Sequence, residues 1–195
     1  MLFDDTYKTI ATKSEGIYKE KGSKFIALAY PVTTEDEIKE IIAGLKKEYY
    51  DARHHCYAYI LGPDKSAYRQ NDDGEPSGTA GRQILAQIDA AGLRDILVVV
   101  VRYFGGILLG VPGLIAAYRA AAADAIANAP RLEKTASRTW TLQCGYDALP
   151  EVENGLKSIG LQPQKRDFAA ECIFVLEVPL GKETMFKEKF YNFIK

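Results

Sequence analysis

Two adjacent histidines, His54 and His55, are the only ones in the chain. Such a pair suggests metal binding or acid–base work. Neighbours on a strand point to opposite faces, so one imidazole at most enters a given pocket. Zinc also takes three or four protein ligands, and no further His or nearby Cys offers them. No metal site or cofactor is therefore expected. The better reading has one histidine lining a polar cleft and the other structural. A second candidate is Asn71-Asp72-Asp73-Gly74-Glu75-Pro76-Ser77-Gly78-Thr79, which packs carboxylates into a turn-rich loop. Such a loop could hold a hard cation or supply an acid–base pair. Its glycine and last Glu do not stand where an EF-hand has them. The plainer reading is a solvated loop in which Asp72 or Asp73 accepts backbone N–H bonds and Ser77 or Thr79 caps the next helix.

Gly105, Gly106, Gly110 and Gly113 precede a helical pattern. Exposed N–H groups at a helix start can hold an anion, although the spacing matches neither a Walker loop nor a dinucleotide fingerprint. The alternative is a tight turn and close helix packing. Arg82 and Arg102 could charge the same site, or pair with Asp72, Asp73 and Glu75 as a structural ion network. Cys56 shares the strand face of His54, but its apolar neighbours make it inert.

These residues need a frame. Val98-Val99-Val100-Val101 is a continuous β-branched run, read as a strand buried on both faces. It ends in Arg102, Tyr103, Phe104 and the glycine pair, where open α/β sheets commonly place a ligand. Strands are also expected over 24–32 and 53–61. A capping box at Thr34 and Glu37 opens a helix carrying Ile38, Ile41, Ile42, Leu45 and Tyr49. Further helices are expected over 79–91 and 112–129, and a loop over 70–78. Residues 130–138 read as a junction. Beyond it a strand, a helix, two strands and a helix follow, a ferredoxin-like order.

The chain has 195 residues, enough for one large domain or two small ones, with an ordinary apolar share of 47%. Its formal net charge of −1 gives no global attraction to nucleic acid, so any such binding needs a local patch. Lys8, Lys13, Lys19, Lys21 and Lys24 form one, diluted by Glu15 and Glu20. Cys56, Cys144 and Cys172 lie far apart in apolar strand patterns and read as reduced cytosolic thiols. The amino terminus lacks a secretory apolar stretch, and no run is long enough for a membrane helix. A cytoplasmic protein with no membrane partner is expected.

Four ordered blocks resemble the YigZ/IMPACT family: Lys21-Gly22-Ser23-Lys24-Phe25-Ile26-Ala27, Ala52-Arg53-His54-His55-Cys56-Tyr57-Ala58-Tyr59, Asp72-Asp73-Gly74-Glu75-Pro76-Ser77-Gly78-Thr79-Ala80-Gly81-Arg82, and Arg102-Tyr103-Phe104-Gly105-Gly106. The resemblance implies an α+β protein. Residues 1–132 would be a two-layer α/β domain like the second domain of a small-subunit ribosomal protein. Residues 136–195 would be a ferredoxin-like domain like those of elongation factor G, its last strand missing. Eukaryotic members regulate translation, competing for the activator of a kinase that acts in amino-acid starvation. The resemblance thus implies a regulator that binds the ribosome, RNA or a translation factor. Its contact surface would be a polar cleft of His54, His55, Asp72, Asp73, Glu75, Arg82, Arg102, Gly105 and Gly106. The alternative is a metal-dependent enzyme on a phosphorylated small molecule, and the resemblance leaves open whether the chain is an enzyme. Related proteins commonly carry a Lys and a second Gly pair after the first; here stand Ile107, Leu108, Leu109, Gly110, Val111 and Pro112, which weakens the anion site. Gln83 likewise replaces the usual Pro. A bare sheet edge at the carboxyl terminus could pair with a second copy as a homo-oligomer.

Overall fold

The computed structural model describes residues 5–195. Met1–Asp4, part of the stretch read as lacking a secretory segment, lie outside the described residues. The chain divides into two compact units, Tyr7–Lys134 and Thr135–Lys195, the latter with Asp5 and Thr6.

In the first unit, strand β1 (Thr6–Ile10) pairs with a later strand. Then come β2 (Ser14–Glu20), β3 (Ser23–Pro31), helix α1 (Glu35–Glu48), β4 (His54–Leu61), β5 (Ala67–Asn71), α2 (Gly81–Ala90), β6 (Ile96–Tyr103) and α3 (Gly110–Ala127). Strand β7 (Arg131–Thr135) closes on β1 as a two-stranded sheet. The main sheet has the order β2-β3-β6-β4-β5, and its neighbours are all antiparallel. Lys21 and Gly22, both at positive φ, form the two-residue turn between β2 and β3. That backbone matches the twist of a tight hairpin.

The valine run is the middle strand, as its composition predicts. Val98 and Val100 enter a core with Ile84 and Ile88 of α2 and Tyr118, Ala121 and Ala122 of α3. Leu97, Val99 and Val101 enter a second core with Ile38 and Leu45 of α1. Helices therefore cover both faces, which corrects the two-layer expectation. The antiparallel order corrects a second one. The rule that places ligands at strand ends applies to parallel sheets, so the site must be argued from its contacts. The capping box opens α1: Glu37 N donates to Thr34 Oγ1 at 3.2 Å, and Glu37 Oε2 accepts from Thr34 N at 3.3 Å. Gly16 lets β2 reach α3, since a Cβ there would lie 2.2 Å from Ala125 N.

The second unit runs β8 (Ser137–Cys144), α4 (Leu149–Ser158), β9 (Lys165–Phe168), β10 (Cys172–Pro179), a 3₁₀ turn (Leu180–Lys182) and α5 (Glu183–Phe190), with sheet order β8-β10-β9. Cys172, Phe174, Leu176 and Val178 alternate inward against Val152, Leu156, Phe186 and Phe190. The edge expected to be bare is partly covered. Gln143 N donates to Phe193 O at 2.8 Å, and Lys195 N donates to Thr141 O at 3.1 Å, so the chain's last residues run along β8. The open edge is β9, exposed along its whole length. No helix among the described residues is long and apolar enough to cross a membrane.

Candidate functional site

His54, Arg102, Phe25 and Tyr18 stand opposite one another on adjacent strands, in a row across β4, β6, β3 and β2. Direct partners share a face of the sheet. The Arg102 guanidinium lies 5.5 Å from the Phe25 ring centre and 5.8 Å from that of Phe104. Its Nη1 donates to Glu75 Oε1 at 2.6 Å, and the Tyr118 hydroxyl donates to the same oxygen at 2.7 Å. Cys56 Sγ lies 3.0 Å from Asp72 O and 3.3 Å from Tyr118 Oη, which share its single S–H. Arg102, Glu75, Tyr118 and Cys56 are all buried. Burial drives the Cys56 thiol and the Tyr118 hydroxyl far above their ordinary pKa values, so both stay neutral and unreactive.

The acidic loop is wound around this network. Asp72 Oδ1 accepts from Ala80 N at 3.1 Å and Gly81 N at 2.8 Å, and its Oδ2 accepts from Gly78 N at 2.9 Å. A carboxylate on the first amides of α2 offsets the positive end of that helix. Asp73 adopts φ 40°. Its Oδ2 accepts from His55 N at 2.7 Å and its Oδ1 pairs with Lys46 Nζ at 3.0 Å. Asn71 Oδ1 supports the bend by accepting from Asp73 N at 2.7 Å. Burial opposes ionisation of Asp73, but the His55 amide and Lys46 outweigh it and lower its pKa. The plainer reading of the loop thus describes its carboxylates better than a cation site does. Among the described residues, no group of three or more His, Cys, Asp or Glu side chains is arranged to hold a metal ion.

The histidines diverge as the strand pleat requires. His54 Nδ1 lies 2.8 Å from Asp73 O. A carbonyl only accepts, so Nδ1 carries a proton and donates this bond. His55 is buried on the opposite side, and burial lowers its pKa despite the Asp73 carboxylate. A histidine held neutral contributes stability above its unfolded value of about 6.5, and that contribution is lost as pH falls through the window below it. The first unit should therefore lose stability as pH falls below about 6.5, and His55→Gln should flatten the slope there. Urea midpoints across that range check this; an unchanged slope in the variant would contradict it.

Not every expected residue joins the network. Arg82 lies on the exposed side of α2, one residue from the buried Gln83, whose Oε1 accepts from Arg119 Nη2 at 3.0 Å. Gly105 serves architecture: its amide donates to Ser23 Oγ at 3.1 Å, and a Cβ there would meet the backbone of Gly22. Gly106 sits at φ 87° with open space around it. Spacing did not single out Tyr118, Asn71 or Ser23 as site residues. Tyr118 carried a signal only as part of a helix stripe. Beyond the network, the turn after β6 and the start of α3 expose Phe104, Ile107, Val111 and above all Leu108, at 82%.

The geometry defines an α+β protein in which a hydrogen-bonded acidic loop is clasped to the end of a central strand, and that strand runs on into an apolar turn. The family model described as the Impact N-terminal domain matches residues 21–126. The chain is 37% identical over 175 residues to IMPACT family member YigZ of Escherichia coli (strain K12), spanning 89% of this chain and 86% of that one. It is also 37% identical over 152 residues to IMPACT family member YvyE of Bacillus subtilis (strain 168), spanning 78% and 70%. A crystal structure of a hypothetical protein superposes with a TM-score of 0.74 at 33% identity, spanning 96% and 92%. The chain belongs to the IMPACT family.

Proposed function

We propose that the chain is a binding module that regulates translation, docking on a protein of the translation machinery through the turn after β6. Family membership supports the setting, since the resemblance to IMPACT proteins implies regulators of translation. The observation that carries the mode is a contrast. The carboxylates of Asp72, Asp73 and Glu75 are engaged by the protein's own donors, whereas Phe104, Ile107 and Leu108 on the turn and Val111 at the start of α3 are exposed. Apolar side chains gathered on a surface favour a protein partner. RNA contact through phosphates would instead rest on the lysine patch of Lys8, Lys13, Lys19, Lys21 and Lys24, which Glu15 and Glu20 dilute. Magnesium-dependent chemistry on a phosphorylated small molecule would first have to break the loop's own bonds.

On this reading the chain is cytoplasmic. Residues 1–132 act as the ribosomal-protein-like domain and 136–195 as the ferredoxin-like one. That second assignment is supported by the β-α-β-β-α order and by the last residues lying along β8. The exposed β9 edge is where a second copy would pair.

Co-sedimentation with ribosomes tests the proposal. The chain should pellet with ribosomes at low salt and hold on as salt rises. Leu108→Glu should weaken binding about tenfold or more, about 1.4 kcal/mol. No association at low salt, or binding untouched by Leu108→Glu, would contradict docking through this turn. A steep salt dependence would mark RNA phosphate contact instead.

A further inference from the structure

The second unit holds two thiols that face each other. Cys144 ends β8, Cys172 begins β10, and the two are direct partners in the antiparallel register. Both are free and buried. The backbone groups of Thr141 and Gln143 bond the last residues of the chain. Alternation therefore turns those of Cys144 toward Cys172, as a hydrogen-bonded pair with Cα atoms about 5.5 Å apart. That lies within the roughly 4.4–6.8 Å that disulfides span. Cys144 also lines a surface cavity of about 490 Å³, together with Gly145, Asp147, Glu171 and Phe193. A small oxidant entering there comes to lie against Cys144.

We propose that Cys144 and Cys172 form a reversible redox site that closes to a cross-strand disulfide when a hydroperoxide enters this cavity. The Cys144 thiolate attacks one peroxide oxygen and the O–O bond breaks. Cys144 becomes a sulfenic acid, and the other oxygen leaves as water or an alcohol after taking a proton. The Cys172 thiolate then attacks that sulfur and expels hydroxide, which takes up the Cys172 proton as water. Two thiols and one hydroperoxide give one disulfide, one alcohol (or water, from hydrogen peroxide) and one water. The sulfurs lose two electrons and the peroxide gains them. Burial, the Cys172 thiol, Asp147 and Glu171 all raise the Cys144 pKa, so thiolate is scarce and the site stays reduced until peroxide is plentiful. Cys56, held against Tyr118 in the other unit, takes no part.

The test is thiol counting on the intact chain. Reduced protein, denatured and alkylated with N-ethylmaleimide, should take up three adducts, one per cysteine. After hydrogen peroxide it should take up one, on Cys56, and digestion should yield a linked pair of peptides containing Cys144 and Cys172. Dithiothreitol should restore all three thiols. In Cys172→Ala the reaction should halt at a Cys144 sulfenic acid that dimedone traps. Three free thiols after peroxide, a linkage that includes Cys56, or over-oxidation of Cys144 without a link would each overturn the proposal. The wild-type counts decide it even where the variant fails to fold.

Discussion

Replacing Glu75 with Ala should lower the stability of the first unit by about 3–5 kcal/mol. The carboxylate accepts from both Arg102 Nη1 and the Tyr118 hydroxyl through one oxygen, in a buried setting. Removing it leaves a buried guanidinium without its counter-charge and a buried phenol without its acceptor. Those penalties far exceed the worth of a surface ion pair, about 0–1 kcal/mol. Hydrogen exchange at the Val98–Val101 amides reports this unit alone, because these residues form the middle strand of its sheet. Protection there should collapse toward that of the frayed ends. A loss below about 1 kcal/mol would mean that solvent or another group compensates Arg102.

Gly105→Ala should be of similar severity, about 3 kcal/mol or more. A Cβ at this position would stand 1.9 Å from the Gly22 carbonyl carbon and 2.1 Å from Ser23 N. Backbone on both sides leaves nothing flexible to move aside, so the β2–β3 turn and the turn after β6 must part. The hydrogen bond from Gly105 N to Ser23 Oγ goes with them. Gly106→Ala is the control. It has open space and meets only the left-handed strain of φ 87°, about 1–2 kcal/mol. Equal midpoints for the two variants in urea would contradict the account of Gly105.

Much of the frame was legible because burial leaves strong patterns. The valine run, the capping box at Thr34 and Glu37, and the helical spacing of Ile38, Ile41, Ile42 and Leu45 are patterns that solvent exposure does not blur. The strands β1, β2, β5 and β7 left no such mark. In β2 the buried positions are Ser14 and Gly16, which face α3 only because they are small, so polarity hides the alternation. Strand β5 is polar and mostly exposed, and it exists by pairing with β4. Strand direction is not encoded in a period of two residues, and so the antiparallel sheet removed the basis of the parallel-sheet rule. For the site, residue types pointed to a loop and a strand end that the structure brings together. Their roles came from partners far away in sequence, such as Tyr118 for Glu75 and Lys46 for Asp73. Arg82 was grouped with them by adjacency, but its place on α2 turns it outward.

The central claim is that the acidic loop is clasped to the end of β6 by an internal charge network, leaving the apolar turn as the working surface. A double-mutant cycle between Glu75→Ala and Arg102→Ala, read by exchange at the Val98–Val101 amides, tests it most directly. The account predicts that removing both groups costs less than the sum of the two single losses, by about 2 kcal/mol or more. Additivity to within about 0.5 kcal/mol would show that the two charges do not sustain each other, and the clasp would have to be abandoned.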